Sequence, residues 1–112
     1  MSSAWENFFA ATAVLASAGP IKNRLTEAFR LHLADLEEEE LPKEIREEFS
    51  WIATHMARVK PLRGETAIQA TVRKMSDLEA GKMAMRIVNL LGVVARLGLA
   101  QRPPKLRAVG DE

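Results

Sequence analysis

The residue types that most enzymes use for chemistry are scarce in this chain. The sequence contains two histidines, His32 and His55, and neither cysteine nor tyrosine. Without cysteine, the chain cannot form a thiolate zinc site, a disulfide or a cysteine nucleophile. The serines lie at predicted helix caps or on exposed faces, so no Ser-His-Asp arrangement can be argued from their spacing. We therefore predict no catalytic residue and a protein that is not an enzyme.

His32 and the acidic residues after it are the combination that could hold a metal ion. Asp35 follows three positions later, and Glu39 lies in a run of four glutamates. The spacing departs from the Glu-x-x-His motif of helical di-iron proteins, and the chain contains no second motif of that kind. We interpret His32 as an edge-of-core residue and the glutamates as a solvated helix end. The prediction is no metal and no cofactor.

Trp51, His55 and Arg58 are spaced four and three residues apart, so on a helix they share one stripe. Tryptophan and arginine often dominate the energy of protein interfaces. The stripe could therefore bind a partner, or Trp51 could pack against the first or last helix and widen the core, which is the interpretation we prefer. If the chain binds a protein, the candidate residues are these three together with Glu38 and Glu39.

The charges divide the chain into an acidic and a basic half. Residues 1–55 contain ten acidic and five basic residues, and residues 56–112 contain five acidic and eleven basic ones. Lys and Arg on a common surface can contact phosphates, but this half is only modestly basic and offers no aromatic platform or helix-turn-helix. We prefer solvation and pairing with the acidic half. Nucleic-acid binding is the alternative, with candidate residues Arg63, Arg73, Lys74, Lys82 and Arg86.

Helix boundaries are well marked in the first half. A capping box at Ser3–Glu6 begins a first helix, which ends at Gly19-Pro20. A second helix follows, with apolar residues at helical spacing from Ile21 to Leu36, and closes near Glu40. Pro42 opens a third helix, in which apolar residues recur at steps of four and three: Ile45, Phe49, Ile52, Met56 and Val59.

The second half contains an ambiguous segment and the longest helix. Residues 66–75 alternate apolar and polar residues, yet no other segment offers a strand to pair with them. We predict an ordered loop or a short irregular helix there. A capping box at Ser76–Glu79 then begins a helix that reaches about Leu99 and is apolar around most of its circumference. Such a helix belongs at the centre of a bundle or in an oligomer interface.

These elements predict an all-α, single-domain four-helix bundle over residues 1–100. An irregular connector precedes the last and most buried helix, and residues 101–112 form a flexible tail. The uncharged run Ile87–Ala95 is about half the length needed to cross a bilayer. The uncharged stretch Asn7–Ile21 lacks the positive region that begins a signal peptide. We expect a cytoplasmic protein without membrane contact.

The function that fits this architecture is an interaction or assembly module that binds a partner protein or a second copy of itself. The last helix is apolar, and Ala80, Ala84 and Gly92 on it allow close helix approach. Oppositely charged halves suit an antiparallel homodimer, because each acidic end meets the partner's basic end.

Overall fold

The computed structural model describes the backbone of residues 3–100 and the side chains of residues 3–98. All regular secondary structure in this part of the chain is helical, which confirms the predicted all-α class. It contains five α-helices rather than the expected four, and a short 3-10 turn at Glu38–Glu40. The predicted tail of residues 101–112 lies outside the described residues. The helices are α1 (Ala4–Leu15), α2 (Ile21–His32), α3 (Lys43–Met56), α4 (Ala67–Arg73) and α5 (Asp77–Ala100).

Capping boxes begin α1 and α5, as the sequence predicts. The Ser3 hydroxyl accepts the N–H of Glu6 at 3.2 Å, and the Glu6 carboxylate accepts the N–H of Ser3 at 3.2 Å. Ser76 and Glu79 make the same reciprocal pair at 3.0 and 2.8 Å. Each box satisfies two amides that the first helical turn leaves without a partner.

α1 and α2 form an antiparallel hairpin. The side-chain amide of Asn7 donates to the carbonyl of His32 at 2.8 Å, and the Arg24 guanidinium donates to the carbonyl of Leu15. Gly19 lies in the reversal with φ of +108°. A side chain would strain the backbone there, so glycine suits the position. The predicted chain reversal at Gly19-Pro20 is present, but α1 itself ends earlier, at Leu15.

α2 ends earlier than predicted. Its last helical residue is His32, and the N–H groups of Leu33 and Ala34 both donate to the Phe29 carbonyl, at 3.0 and 2.8 Å. Leu33 is fully buried where the chain turns away. The glutamates at positions 37–40 consequently lie outside α2. Their negative charges are therefore separated from the C-terminal end of α2, where the helix dipole is also negative.

α4 decides between the alternatives predicted for residues 66–75, an ordered loop or a short irregular helix, because Ala67–Arg73 form a regular α-helix. The Thr66 hydroxyl accepts the N–H of Gln69 at 3.0 Å, and the Gln69 side chain accepts the N–H of Thr66 at 2.9 Å. α4 contacts both α2 and α3, and three consecutive residues, Ala70, Thr71 and Val72, are buried. Because burial on two sides hides the helical period, the alternating pattern suggested an extended segment.

Three phenylalanines from three helices meet in the core. The Phe49 ring lies edge-on to Phe8 with centroids 5.8 Å apart, and it stacks on Phe29 at 6.4 Å. This cluster joins α1, α2 and α3 in one core. The predicted apolar stripe of α3 is confirmed, except that Val59 lies beyond the end of the helix. Its buried residues are Ile45, Phe49, Ile52 and Met56.

α5 is buried on one side rather than around most of its circumference. It contacts α1, α2 and α3 along one side only and buries a single stripe there. Leu78, Met85 and Val88 on its other side are exposed. The expectation of a helix buried around most of its circumference is therefore wrong, although α5 contributes more buried residues to the core than any other described helix. The buried residues of α5 are Ala80, Met83, Ala84, Ile87, Leu90 and Val94.

Candidate protein-binding surfaces

α3 brings the predicted stripe of Trp51, His55 and Arg58 together on the surface. The Trp51 and His55 rings stack with centroids 4.8 Å apart and planes 13° apart. The Arg58 Nε–H donates to His55 Nε2 at 3.2 Å. Trp51 is 46% exposed and lies outside the buried core, so it does not widen the core as we preferred from the sequence.

Two charged residues complete this group, which we call the Trp51 cluster: Glu48, Trp51, His55, Arg58 and Arg86. The Arg86 guanidinium carbon, from α5, lies 4.2 Å from the centroid of the Trp51 ring. Its Nη1 donates to Glu48 Oε2 at 2.7 Å. Sequence reasoning assigned Arg86 to the nucleic-acid set and saw no aromatic platform beside it. The structure instead joins Arg86 to Trp51, because α3 and α5 pack side by side.

The histidine of the Trp51 cluster is held in its neutral form. Burial lowers the pKa of His55 below 6.5, and the positive charges of Arg58 and Arg86 lower it further, while Glu79 opposes them. A neutral imidazole leaves Nε2 free to accept the Arg58 hydrogen bond. At neutral pH the cluster therefore presents stacked rings and two guanidiniums, one of them paired with a carboxylate.

The acidic candidates lie in a different element. Glu38 and Glu39 are exposed in the 3-10 turn before α3. Within that turn the Glu37 N–H donates to Glu40 Oε1 at 2.7 Å, and the N–H of Leu41 donates to the Glu38 carbonyl at 3.1 Å. Among the described side chains, no hydrogen bond or ion pair joins Glu38 or Glu39 to the Trp51 cluster. The five predicted protein-binding residues thus separate into two surfaces.

The nucleic-acid candidates do not form one array of unpaired cations. Arg73 donates to both Glu65 oxygens, at 2.7 and 3.2 Å, and this hydrogen bonding lowers the pKa of the Glu65 carboxyl. Arg86 pairs with Glu48 in the Trp51 cluster. The other three occupy separate elements, which are the connector for Arg63, the end of α4 for Lys74 and the start of α5 for Lys82. Pairing reduces the positive charge available for phosphate.

A polar cleft of about 720 Å³ lies between α2 and α4. Two of its cationic side chains form hydrogen bonds with backbone carbonyls of the protein itself. The Lys22 ammonium donates to the carbonyl of Arg73 at 3.2 Å, and Arg24 donates to the carbonyls of Gly19 and Leu15. These hydrogen bonds tie helix ends together, so we interpret the cleft as a structural junction.

An apolar surface that sequence reasoning missed runs along α1 and α5. On α1, Trp5 and Phe9 are 43% and 53% exposed and stack with centroids 5.2 Å apart and planes 9° apart. On α5, Met85 and Val88 are 66% and 40% exposed. We call these four residues, with Thr12 between them, the α1–α5 ribbon.

The ribbon contains a groove next to its aromatic end. The groove has a volume of about 280 Å³, and its α1 side is one turn from Phe9. Its walls come from both helices, and none of its lining residues is charged. They include Thr12, Leu15, Ala16, Met85, Val88 and Asn89.

The sequence did contain a feature that could have revealed this ribbon. α1 has a single charged residue, Glu6, in twelve positions. Its buried side is Ala4, Phe8, Ala11 and Leu15, so Trp5 and Phe9 must fall on a second apolar face. We made no separate prediction for these two residues from the sequence, because periodicity cannot show which of two apolar faces meets the rest of the protein.

Other kinds of site have no counterpart in the described part of the chain. Between residues 3 and 98, no three or more His, Asp or Glu side chains come together in a way that could hold a metal ion. None of the helices up to Ala100 combines the length and the apolar character that spanning a bilayer requires. Comparison with protein-family models, with curated proteins and with solved structures found no match to this chain.

Proposed function

We propose that this protein is a helical interaction module and that the α1–α5 ribbon is its docking surface. The observation that carries the proposal is the exposed, stacked pair Trp5–Phe9 beside exposed Met85 and Val88. Large apolar patches on a soluble surface are typical of binding sites, and aromatic residues and methionine are enriched in the centre of interfaces.

The ribbon is also rigid enough to bind without a large entropy cost. Trp5 and Phe9 lie on one capped helix and already stack on each other, so little side-chain freedom remains to be lost. If docking covers about 100 Å² on each ring, burial contributes roughly 2–3 kcal/mol per ring. The Trp51 cluster offers a partner less binding free energy, because its guanidiniums and rings already contact one another.

Site-specific photo-crosslinking in cells that express the protein tests this proposal. A benzoylphenylalanine in place of Phe9 should give adducts of discrete mass, because a partner covers that position. Leu31 on α2 is the matched control, since it is apolar and equally exposed at 53%. Val88→Lys should remove the adducts formed from position 9.

The two positions give opposite expectations, so the experiment can contradict the proposal. Absence of a discrete adduct from position 9 would overturn it. The same set of adducts from positions 9 and 31 would also overturn it, because that result indicates collisions with neighbouring proteins rather than docking.

A further inference from the structure

We infer that residues 101–112 of this chain dock back onto the molecule, in a second groove that lies where the last turns of α5 meet the start of α1. This groove, which we call the end groove, has a volume of about 730 Å³. The inference goes beyond the proposed function, because Phe9, Met85 and Val88 do not line the end groove and Trp5 alone is shared with the ribbon. The three walls of the groove include Ala4 and Trp5, Glu40 and Leu41, and Val94 and Leu97.

The end groove combines an apolar floor, an aromatic ring and an acidic rim. Ala4, Leu41 and Val94 are buried, whereas the ring of Trp5 is 43% exposed. Glu40 lines the groove, and Glu38 and Glu39 are exposed in the same 3-10 turn. None of these three glutamates forms an ion pair among the described residues. Grooves lined by aromatic residues bind extended proline-rich segments, and carboxylates at the rim favour a segment with basic residues.

Residues 101–112 have the composition that such a groove fits. They contain Pro103-Pro104, and residues 101–110 hold three cations and no acidic residue. Proline restricts its own backbone and that of the preceding residue, so two consecutive prolines favour the extended polyproline conformation. A segment that is already extended loses little conformational entropy when it docks. The three cations are Arg102, Lys105 and Arg107.

The end of α5 delivers this segment directly to the groove. Gly98 lines the end groove, and α5 continues to Ala100, roughly 3 Å further along the helix axis. The seven residues 101–107 span roughly 20 Å in the polyproline conformation. Crossing the groove to the glutamates requires a distance on the order of one helix diameter, about 10 Å. The cations at positions 105 and 107 can therefore reach the acidic rim while Pro103-Pro104 lie beside Trp5.

The covalent connection favours this segment over any separate peptide. A binding group held by a short linker experiences an effective concentration of about a millimolar or more. Even an intrinsic affinity in the millimolar range then keeps the groove occupied for a large part of the time. The occupant to which this inference commits is consequently the chain's own segment, bound within one molecule.

Paramagnetic relaxation in NMR spectra of the full chain tests the inference. The sequence has no cysteine, so Ala108→Cys provides a unique position for a nitroxide label and keeps all three cations. We expect the amide of Leu41 and the indole N–H of Trp5 to lose most of their intensity. The amide of Gln69 should keep its intensity, because Gln69 lines the polar cleft at the opposite end of α1.

Charge variants test the acidic rim in the same labelled chain. Glu38→Gln together with Glu39→Gln should restore most of the Leu41 signal. Glu27→Gln together with Glu47→Gln is the matched control, since it removes the same charge from exposed positions outside the end groove and should leave the Leu41 signal lost. Raising the ionic strength from about 0.1 M to about 1 M shortens the Debye length from about 10 Å to about 3 Å and should restore part of the signal.

A proline variant tests the extended docking mode. Pro103→Gly together with Pro104→Gly keeps every charge and lengthens the list of conformations that the segment can adopt. We expect a partial return of the Trp5 indole signal. Far-UV circular dichroism of each variant confirms that the helices are folded.

The outcomes that overturn the inference are distinct. Equal intensity loss at Leu41 and Gln69 overturns docking, because it describes a segment without a preferred site. A loss at Leu41 that neither the Glu38 and Glu39 variant nor high ionic strength reduces overturns the role of the acidic rim. In a mixture of isotope-labelled chain without nitroxide and unlabelled chain with nitroxide, loss at Leu41 assigns the groove to a second copy and overturns docking within one molecule. None of these results bears on crosslinking from position 9, so the proposed function is tested independently.

Discussion

At the scale of residues, the Trp51 cluster shows how a surface aromatic residue can join two helices. Arg86 of α5 lies over the Trp51 ring of α3 and also pairs with Glu48 of α3. An exposed ion pair of this kind contributes at most about 1 kcal/mol, and a cation over an exposed ring contributes about 0.5–1 kcal/mol. His55 completes the stack, and its protonation changes the charge of the whole cluster.

Trp51 fluorescence should report the protonation of His55. In a Trp5→Phe background the emission of Trp51 should fall as the pH falls, because a protonated imidazole quenches the stacked indole. We expect the midpoint below 6.5, since burial and the two guanidiniums lower the pKa of His55. Arg58→Gln should move the midpoint upwards. His55→Gln should abolish the transition and His32→Gln should keep it, whereas a midpoint at or above 6.5 contradicts the assignment.

The same lowered pKa makes folding stability depend on pH. The unfolded chain binds a proton at His55 more readily than the folded chain does, so the free energy of unfolding rises with pH in this range. The contribution is complete above 6.5 and is lost as the pH falls through the pKa of the folded state. Urea unfolding at several pH values should show a weaker acid dependence for His55→Gln than for the parent chain.

At the scale of elements, one buried hydroxyl joins the connector between α3 and α4 (residues 57–66) to α4. Thr71 is fully buried, donates to the Ala67 carbonyl at 2.8 Å and accepts the N–H of Val59 at 3.0 Å. The connector then turns at Leu62–Glu65, where Gly64 has φ of +82°. These contacts explain why a short segment between two longer helices is ordered.

Replacing Thr71 by the isosteric valine should therefore destabilise this junction. Thr71→Val keeps the volume but leaves the Val59 amide without an acceptor, and we expect a loss of about 1–3 kcal/mol in the free energy of unfolding. Amide hydrogen exchange should show faster exchange at Val59. Thr71→Ser retains the hydroxyl and should keep that amide protected. Equal protection of Val59 in the valine and serine variants would contradict this account.

At the scale of the whole molecule, the acidic and basic halves are only sparsely paired. Of the three ion pairs in the described residues, Arg86–Glu48 alone joins the two halves, and Arg30–Glu27 and Arg73–Glu65 are local. We preferred, from the sequence, an interpretation in which the basic half pairs with the acidic half. In the described residues a single ion pair, Arg86–Glu48, corresponds to that interpretation. Most of the separated charge thus stays on the surface, where it can act on association.

Replacing a buried phenylalanine should lower the free energy of unfolding of the whole molecule much more than replacing an exposed one. Phe49 lies at the meeting point of α1, α2 and α3, so Phe49→Ala should cost about 3–5 kcal/mol in the free energy of unfolding. Phe9→Ala should cost less than about 1 kcal/mol in dilute protein, because half of that ring is already exposed. Urea unfolding by circular dichroism measures both values. Comparable losses would contradict the assignment of Phe9 to the surface.

The sequence by itself determined the class of the fold and where the four longer helices begin. Capping boxes at Ser3 and Ser76 and the stripe of α3 from Ile45 to Met56 depend on residues close together in the chain, and local geometry decides them. The capping box at Thr66 was also readable, but the alternating pattern after it obscured the short helix. Proximity of Trp51, His55 and Arg58 followed from helical spacing in the same way.

The tertiary structure alone decided which apolar faces are buried. α1 and α5 each have more than one apolar face, and periodicity does not say which of them meets the core. Packing resolves this, because each of the five described helices contributes one stripe to a single shared core. Trp5, Phe9, Met85 and Val88 are exposed as a result, and Arg86 reaches Trp51 only because α3 and α5 are neighbours. These contacts join residues distant in the chain, which sequence spacing cannot bring together.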